Sequence, residues 1–334
     1  MTWKVACGII SGEVGTEVSE ASQVNDPAAV LEASLSGGLT PARLLLRTMR
    51  PKQWTKNVFV WAALLFDQKL FQAGPFLRTL IVFLLFCLIS SAVYIINDLV
   101  DIEKDRLHPT KRHRPLASGA LSPRLALAAA VVIIFLSLPV ALWLGMAVVA
   151  ILYGYLLLMI AYSFWLKNIV IVDVLTISAG FVLRVAAGVV VVQAARFSPW
   201  IYVCTVLFAL FLAIGKRRQE IMLLQDGSHD TRSILQEYNV KFLDEMLALV
   251  SSTTVMAYSL YTFSAPNVPT NHTLMLTIPF VLYGLFRYLY LIHVRGETDP
   301  PDEVVLKDRA LLLDVVLFSV VAFLVFYVHV GTLP

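Results

Sequence analysis

Leu77 to Asp105 reads LRTLIVFLLFCLISSAVYIINDLVDIEKD, an apolar run that ends abruptly in Asn97 and the carboxylates Asp98, Asp101, Glu103 and Asp105. The apolar part is long enough to cross the hydrocarbon core of a bilayer as a helix. At about 100° per residue, offsets of three and seven residues put Asp98, Asp101 and Asp105 on one helical stripe. Three carboxylates at a membrane surface, with the Asn97 amide beside them, imply a metal. Hard oxygen donors suit Mg²⁺, which keeps waters and binds through a few carboxylates plus substrate phosphates. The residues that follow are basic: Arg106, His108, Lys111, Arg112, His113 and Arg114. Acidic groups for a metal beside cations for phosphate oxygens are what a diphosphate leaving group needs.

Composition places the rest of the chain around this run. With 58% hydrophobic and 15% charged residues and a mean hydropathy of +0.77, it is a polytopic membrane protein, all-α. Apolar stretches predict nine spans near 54–73, 77–97, 124–144, 146–164, 169–192, 198–216, 245–264, 272–293 and 310–330. The first is the weakest, because it carries Lys56, Asn57 and Asp67. Lys and Arg in alternate connections number 21 on one side against three, Lys69, Arg78 and Arg196, on the other. By the excess of basic residues in cytoplasmic loops, the Asp-rich connection and the N-terminus are cytoplasmic and the C-terminus is outside. The net charge of +3 reflects this topology; spread over several loops, it does not indicate nucleic acid.

Residues 1–39 are polar and acidic and are expected to form a flexible tail without a signal peptide, ahead of a membrane domain over 40–334. From Pro41, Arg43, Arg47 and Arg50 fall opposite Leu44, Leu45 and Met49, the pattern of an interfacial helix. Cys7, Cys87 and Cys204 lack metal-ligand spacing and read as core thiols.

The stretch Asn97 to Gly119, NDLVDIEKDRLHPTKRHRPLASG, resembles the first signature of the UbiA-type superfamily of intramembrane prenyltransferases. Arg50 to Phe66 (RPKQWTKNVFVWAALLF), Tyr162 to Gly188 (YSFWLKNIVIVDVLTISAGFVLRVAAG), GKRRQE from Gly215 and VLKDRALLL from Val305 are similar to its polyprenyl-phosphate phosphoribosyltransferase branch. The resemblance implies a nine-helix bundle with a cytoplasm-facing cavity. It also implies Mg²⁺-dependent transfer of 5-phosphoribosyl from phosphoribosyl diphosphate to a long-chain polyprenyl phosphate lipid, in the plasma (inner) membrane. Asn97, Asp98, Asp101 and Asp105 would hold the metal. Tyr162 is carried over from the matching stretch as a substrate contact.

Such a donor, with phosphates at both ends, needs cations from several elements. The sequence offers Lys52, Lys56, Lys111, Arg114, Lys167, Arg184, Lys216 and Arg217, the last two followed by Glu220. Arg184 lies well inside an apolar span, where a charge is expensive and faces a polar interior or a partner. Asp173, eleven residues earlier, is on nearly the same face and is expected near the ribose or metal. Asp314 is an alternative partner for Arg184. A prenyl phosphate is already an anionic nucleophile, so neither His108 nor His113 is required as a base.

Two other readings exist. An aromatic prenyltransferase would use a prenyl diphosphate donor and a second Asp-rich motif after the sixth span. There, Asp226 and Asp230 have the spacing, but Gly227 and Ser228 favour a turn. A transporter would thread ions along Asp173, Arg184 and Asp314, leaving the Asp-rich run unexplained. Prenyl chain length is not legible, and a homo-oligomer is left open.

Overall fold

Inside lipid a segment must satisfy its own backbone, and a helix does so within itself. Every regular element is accordingly helical among the described residues, which in this computed structural model are 40–108, 110–193, 198–225, 233–297, 299 and 301–328. The expected tail over 1–39 lies outside them. From Pro41 onward the described chain forms one compact unit.

A short amphipathic helix, α1 (Pro41–Met49), buries Leu44 and Thr48 and leaves Arg43 and Arg47 exposed. A 3₁₀ segment, Pro51–Trp61, leads into α2 (Ala62–Phe66). Then come α3 (Ala73–Val100), α4 (Ile102–Leu107), α5 (Pro123–Leu144), α6 (Met146–Phe164), α7 (Val172–Val192) and α8 (Pro199–Gln225). The chain continues through α9 (Val240–Ser264), α10 (Ile278–His293), α11 (Pro301–Lys307) and α12 (Arg309–Tyr327). Among the described residues eight helices are long and apolar enough to cross a membrane: α3, α5, α6, α7, α8, α9, α10 with its preceding turn, and α12. They match the second to ninth predicted spans. The expected first span, near 54–73, is not one of them; there the chain runs as the 3₁₀ segment and α2.

The reason lies in the 3₁₀ geometry. With three residues per turn, every third side chain eclipses, and Pro51, Trp54, Asn57, Val60 and Ala63 form one stripe. Asn57 and Val60 are fully buried and Ala63 is buried, whereas Lys52, Thr55 and Val58 face outward. The stripe is tied to α3 by polar contacts: Trp54 Nε1 donates to Ser91 Oγ (3.0 Å), and Asn57 Nδ2 donates to Cys87 Sγ (3.3 Å) and Ser90 Oγ (3.4 Å). The segment runs the height of the bundle. At one end Arg50 pairs with Asp98 near the α3 C-terminus; at the other Lys69 donates to the carbonyls of Val192 (3.2 Å) and Gln193 (3.1 Å) that end α7.

Two helices are central. Buried residues make up 61% of the apolar stretch of α3 and 56% of that of α7, against 22% for α5 and α12, whose flanks are left for lipid. One apolar core joins the 3₁₀ segment, α3, α6 and α7 around Phe86, Leu152 and Val191; a second joins α8, α9 and α10 around Ile214, Leu247 and Leu285; a smaller one packs Tyr261 of α9 and Leu274 against Phe326 of α12. Val174 of α7 belongs to the second, so α7 connects the first two.

The tightest approach is at Gly188 of α7. A Cβ there would stand 2.1 Å from the Val60 carbonyl oxygen, whereas one at Gly154 of α6 would meet nothing within 4 Å. Gly188→Ala is therefore expected to destabilise the protein by about 1–3 kcal/mol, the usual cost of forcing packed backbones apart, and Gly154→Ala to be neutral or mildly stabilising. Thermal unfolding of the two variants in detergent checks the contrast.

Candidate active site

The Asp-rich stripe is interrupted where the sequence predicts a continuous helix. The backbone bonds Asp101 N to Asn97 O (3.0 Å) and Asp105 N to Asp101 O (2.8 Å) persist, but Asp101 itself lies between α3 and α4 at φ −97°, ψ 9°. The three carboxylates find two sets of partners. Arg114, from the turn after α4, donates to Asp105 (2.6 Å) and Asp98 (3.2 Å), and Arg50 donates to Asp98 (2.5 Å). Asp101 instead accepts from Lys167, 2.8 Å to each oxygen. Asp98 and Asp105 are buried. Buried carboxylates need such partners, since an unpaired charge in an apolar interior is costly.

Beside this cluster lies a cavity of about 230 Å³, lined by Arg50, Lys56, Arg184, Lys216 and Arg217, with Glu220 as the sole carboxylate among the described residues of its wall. Asn97, Tyr94, Tyr155 and Tyr162 also face it. Arg184 sits deepest in the apolar bundle. Its Nε donates to Asn57 Oδ1 (2.7 Å), Nη1 to the Gly180 carbonyl (2.8 Å) and Nη2 to Tyr155 OH (2.8 Å). The rings of Tyr155 and Phe181 lie 4.7 and 5.3 Å from the guanidinium carbon. All three acceptors are neutral, so Asp314 is not its partner.

Arg217 is held differently. Its Nε donates to Asp173 Oδ2 (2.6 Å), one Nη to Tyr162 OH (3.0 Å) and the other to Glu220. Asp173 is fully buried against Arg217 and is not among the residues that line the cavity. Its other oxygen accepts from Tyr238 OH (2.7 Å), and that hydroxyl accepts from the Ile171 amide (2.7 Å). Burial first, and then donation to the Asp173 carboxylate, push the Tyr238 phenol up to about 12, so it remains a donor. Ile171 has a φ of 69°, a left-handed conformation that this hydrogen bond helps to hold.

The sequence-predicted residues thus divide. Lys56, Asn97, Tyr162, Arg184, Lys216, Arg217 and Glu220 meet at the cavity. Asp98, Asp105 and Arg114 form the adjoining ion cluster, and Lys167 serves Asp101. Lys52 is turned outward by the 3₁₀ geometry, and Lys111 lies in the turn after α4, outside the cavity wall. Asp226 and Asp230 fall outside the described residues. No hydrogen bond or ion pair joins Asp173, Arg184 and Asp314 into a path. The residues that sequence reasoning missed are Arg50, Tyr94, Tyr155 and Tyr238. Only Arg50 carried a signal: it precedes Pro51, a position biased away from α-helix, and ends α1 at φ 53°.

Fold and site together define a multi-pass membrane protein built around a cavity lined by cationic side chains. The chain belongs to the UbiA prenyltransferase family, whose sequence profile matches residues 57–306, and it is a transferase of that family. It is 34% identical over 272 residues to the decaprenyl-phosphate phosphoribosyltransferase of Corynebacterium glutamicum, covering 80% of this chain and 82% of that one. It is 32% identical over 280 residues to the protein of the same name from Mycobacterium tuberculosis, covering 82% and 92%. A UbiA homologue from Archaeoglobus fulgidus, solved bound to GPP and Mg²⁺, superposes with a TM-score of 0.66 at 20% identity, covering 85% of this chain and 99% of that one; it shares the fold.

Removing either support of Arg217 should be measurable. Tyr238→Phe leaves Asp173 and the Ile171 amide each short of one hydrogen bond and is expected to cost about 1–3 kcal/mol. Asp173→Asn removes one of the two carboxylates that balance buried Arg217, leaving Glu220, and is expected to cost about 3–5 kcal/mol. Thermal unfolding in detergent should rank them in that order.

Proposed function

We propose that the protein transfers the 5-phosphoribosyl group of phosphoribosyl diphosphate to a long-chain polyprenyl phosphate, with release of diphosphate and dependence on Mg²⁺. The observation that carries this reading is the cavity wall, with five cationic side chains against one carboxylate among its described residues. A donor bearing phosphates at both ends uses such a spread of charge, and Arg or Lys contacts to phosphate are strong, charge-assisted hydrogen bonds. The names of the Corynebacterium and Mycobacterium relatives support the same transferred group and acceptor class.

The donor set fits Mg²⁺. Among the described residues no three His, Cys, Asp or Glu side chains converge as an all-protein cage. Asp98 and Asp105 share Arg114, which keeps their oxygens close to one cation, and Asn97 borders the cavity beside them. Two carboxylates completed by substrate phosphates and water match the binding habit of this ion. Asp101, held by Lys167, adds negative charge. When bound, Mg²⁺ would neutralise charge on the departing diphosphate.

In the reaction an oxygen of the lipid phosphate attacks C1 of the ribose while the bond from C1 to the diphosphate oxygen breaks. The leaving group takes the electron pair, and no proton need move. Lys56, Arg184, Lys216 and Arg217 hold the phosphates of the donor, and the carboxylate field of Asp98, Asp101 and Asp105 stabilises positive charge developing on the ribose. The apolar flanks of the bundle admit the lipid.

The site faces the cytoplasm of the plasma membrane in this reading, because the basic loops lie on its side of the sequence. The ninth crossing is the 3₁₀ segment with α2. Eleven residues at about 2.0 Å and five at about 1.5 Å span roughly 30 Å, the thickness of the hydrocarbon core.

The test is purified protein with Mg²⁺ and a polyprenyl phosphate, given labelled phosphoribosyl diphosphate, with a prenyl diphosphate plus 4-hydroxybenzoate in a parallel reaction. Label in the lipid phase is expected; aromatic prenylation in its place would overturn the donor assignment. Asp98→Asn should abolish metal-dependent turnover in folded protein, and full activity would remove the metal carboxylate role. Arg184→Ala is expected to raise the KM for the donor roughly tenfold or more, the size of a lost charged hydrogen bond, with a smaller change for the lipid. Steady-state kinetics with each substrate varied in turn distinguishes the two.

A further inference from the structure

Two buried carboxylates, Asp98 and Asp105, are balanced by two guanidiniums, Arg50 and Arg114. A divalent cation entering between the carboxylates makes the charge of this cluster excessive, so a guanidinium must give way. The two are not equally free to do so. Arg114 is fastened by both carboxylates, whereas Arg50 is bound by Asp98 alone, rests on the Tyr94 ring at 4.9 Å and borders the cavity. Its side chain is 28% exposed, about the same as that of Arg114 at 27%, so the two differ in how many carboxylates hold them and not in room to turn. Its backbone, at φ 53° and ψ 63° between α1 and the 3₁₀ segment, aims the side chain across the boundary between carboxylates and cavity.

We propose that Arg50 serves two anions in turn, holding Asp98 while the site is empty and the diphosphate of the donor once metal and donor are bound. Until diphosphate offers another anion, Arg50 competes with the metal for Asp98. Metal and diphosphate therefore bind as a coupled pair, each strengthening the other by the same factor. This rests on the reading of Asp98 and Asp105 as metal carboxylates and of the cavity as a diphosphate site. It does not depend on which donor carries the diphosphate.

The coupling can be read without turnover. Full-length protein in detergent is titrated with Mn²⁺, followed by electron paramagnetic resonance, with and without inorganic diphosphate and with correction for their complex in solution. In the wild type, diphosphate should tighten Mn²⁺ binding at least about fivefold. Arg50→Gln should bind Mn²⁺ alone more tightly than the wild type, by about fivefold, and diphosphate alone about tenfold more weakly. Arg50→Lys, which keeps the charge, should bind Mn²⁺ alone within about twofold of the wild type. A purely structural role for Arg50 would weaken both ligands together. Mn²⁺ binding to Arg50→Gln that is no tighter than to the wild type overturns the inference and leaves the metal site standing. Absence of saturable Mn²⁺ binding by the wild type overturns both. Should Arg50→Gln not fold, Arg50→Met carries the same expectations, and wild-type Mn²⁺ affinity indifferent to diphosphate is by itself sufficient to reject the exchange.

Discussion

Charge buried in an apolar bundle must be matched, and that constraint organises one end of this protein. Arg50 brings the start of the 3₁₀ segment to α3, Arg114 brings the turn after α4, and Lys167 brings the link between α6 and α7. Arg217 ties α8 to Asp173 at the start of α7. Buried ion pairs of this kind are weak sources of net stability, because desolvation offsets most of the attraction, but losing one partner is severe. Their effect is to fix which helix ends meet. The apolar cores hold the helices side by side; the ion pairs set where their ends stop.

Arg184 is the exception, and its surroundings explain why it is tolerated. Neutral oxygens from Asn57, Gly180 and Tyr155 accept its protons, and aromatic faces cover it. The cation is solvated by the protein but not neutralised. In the proposed function, a cation held in place by neutral partners would meet an incoming phosphate with little reorganisation, the main electrostatic advantage an enzyme has over water.

Much of this was legible in the sequence. The bilayer imposes a length and an apolarity on each crossing, so α3, α5, α6, α7, α8, α9, α10 and α12 stand out as hydrophobic runs. The first segment did not, because a search for α-helical length misses a period of three; the pattern Pro51, Trp54, Asn57, Val60, Ala63 shows it only once that period is sought. Cations at helix ends were readable as a group, but which of them face the cavity was not. Lys52 and Lys56 differ by one 3₁₀ turn and a third, enough to send one outward and the other in. The pairings of Arg50 with Asp98 and of Tyr238 with Asp173 join residues 48 and 65 positions apart. No local pattern encodes such contacts, and Tyr155 in the middle of an apolar run looks like any core aromatic.

The 3₁₀ segment makes chain length as constrained as composition between Arg50 and Ala63. Inserting one residue there would rotate everything beyond it by about 120°. Asn57 would then leave Arg184, and Val60 would leave its seat against Gly188. Related chains that keep this site should therefore differ freely in loop lengths, yet align without gaps across these fourteen positions.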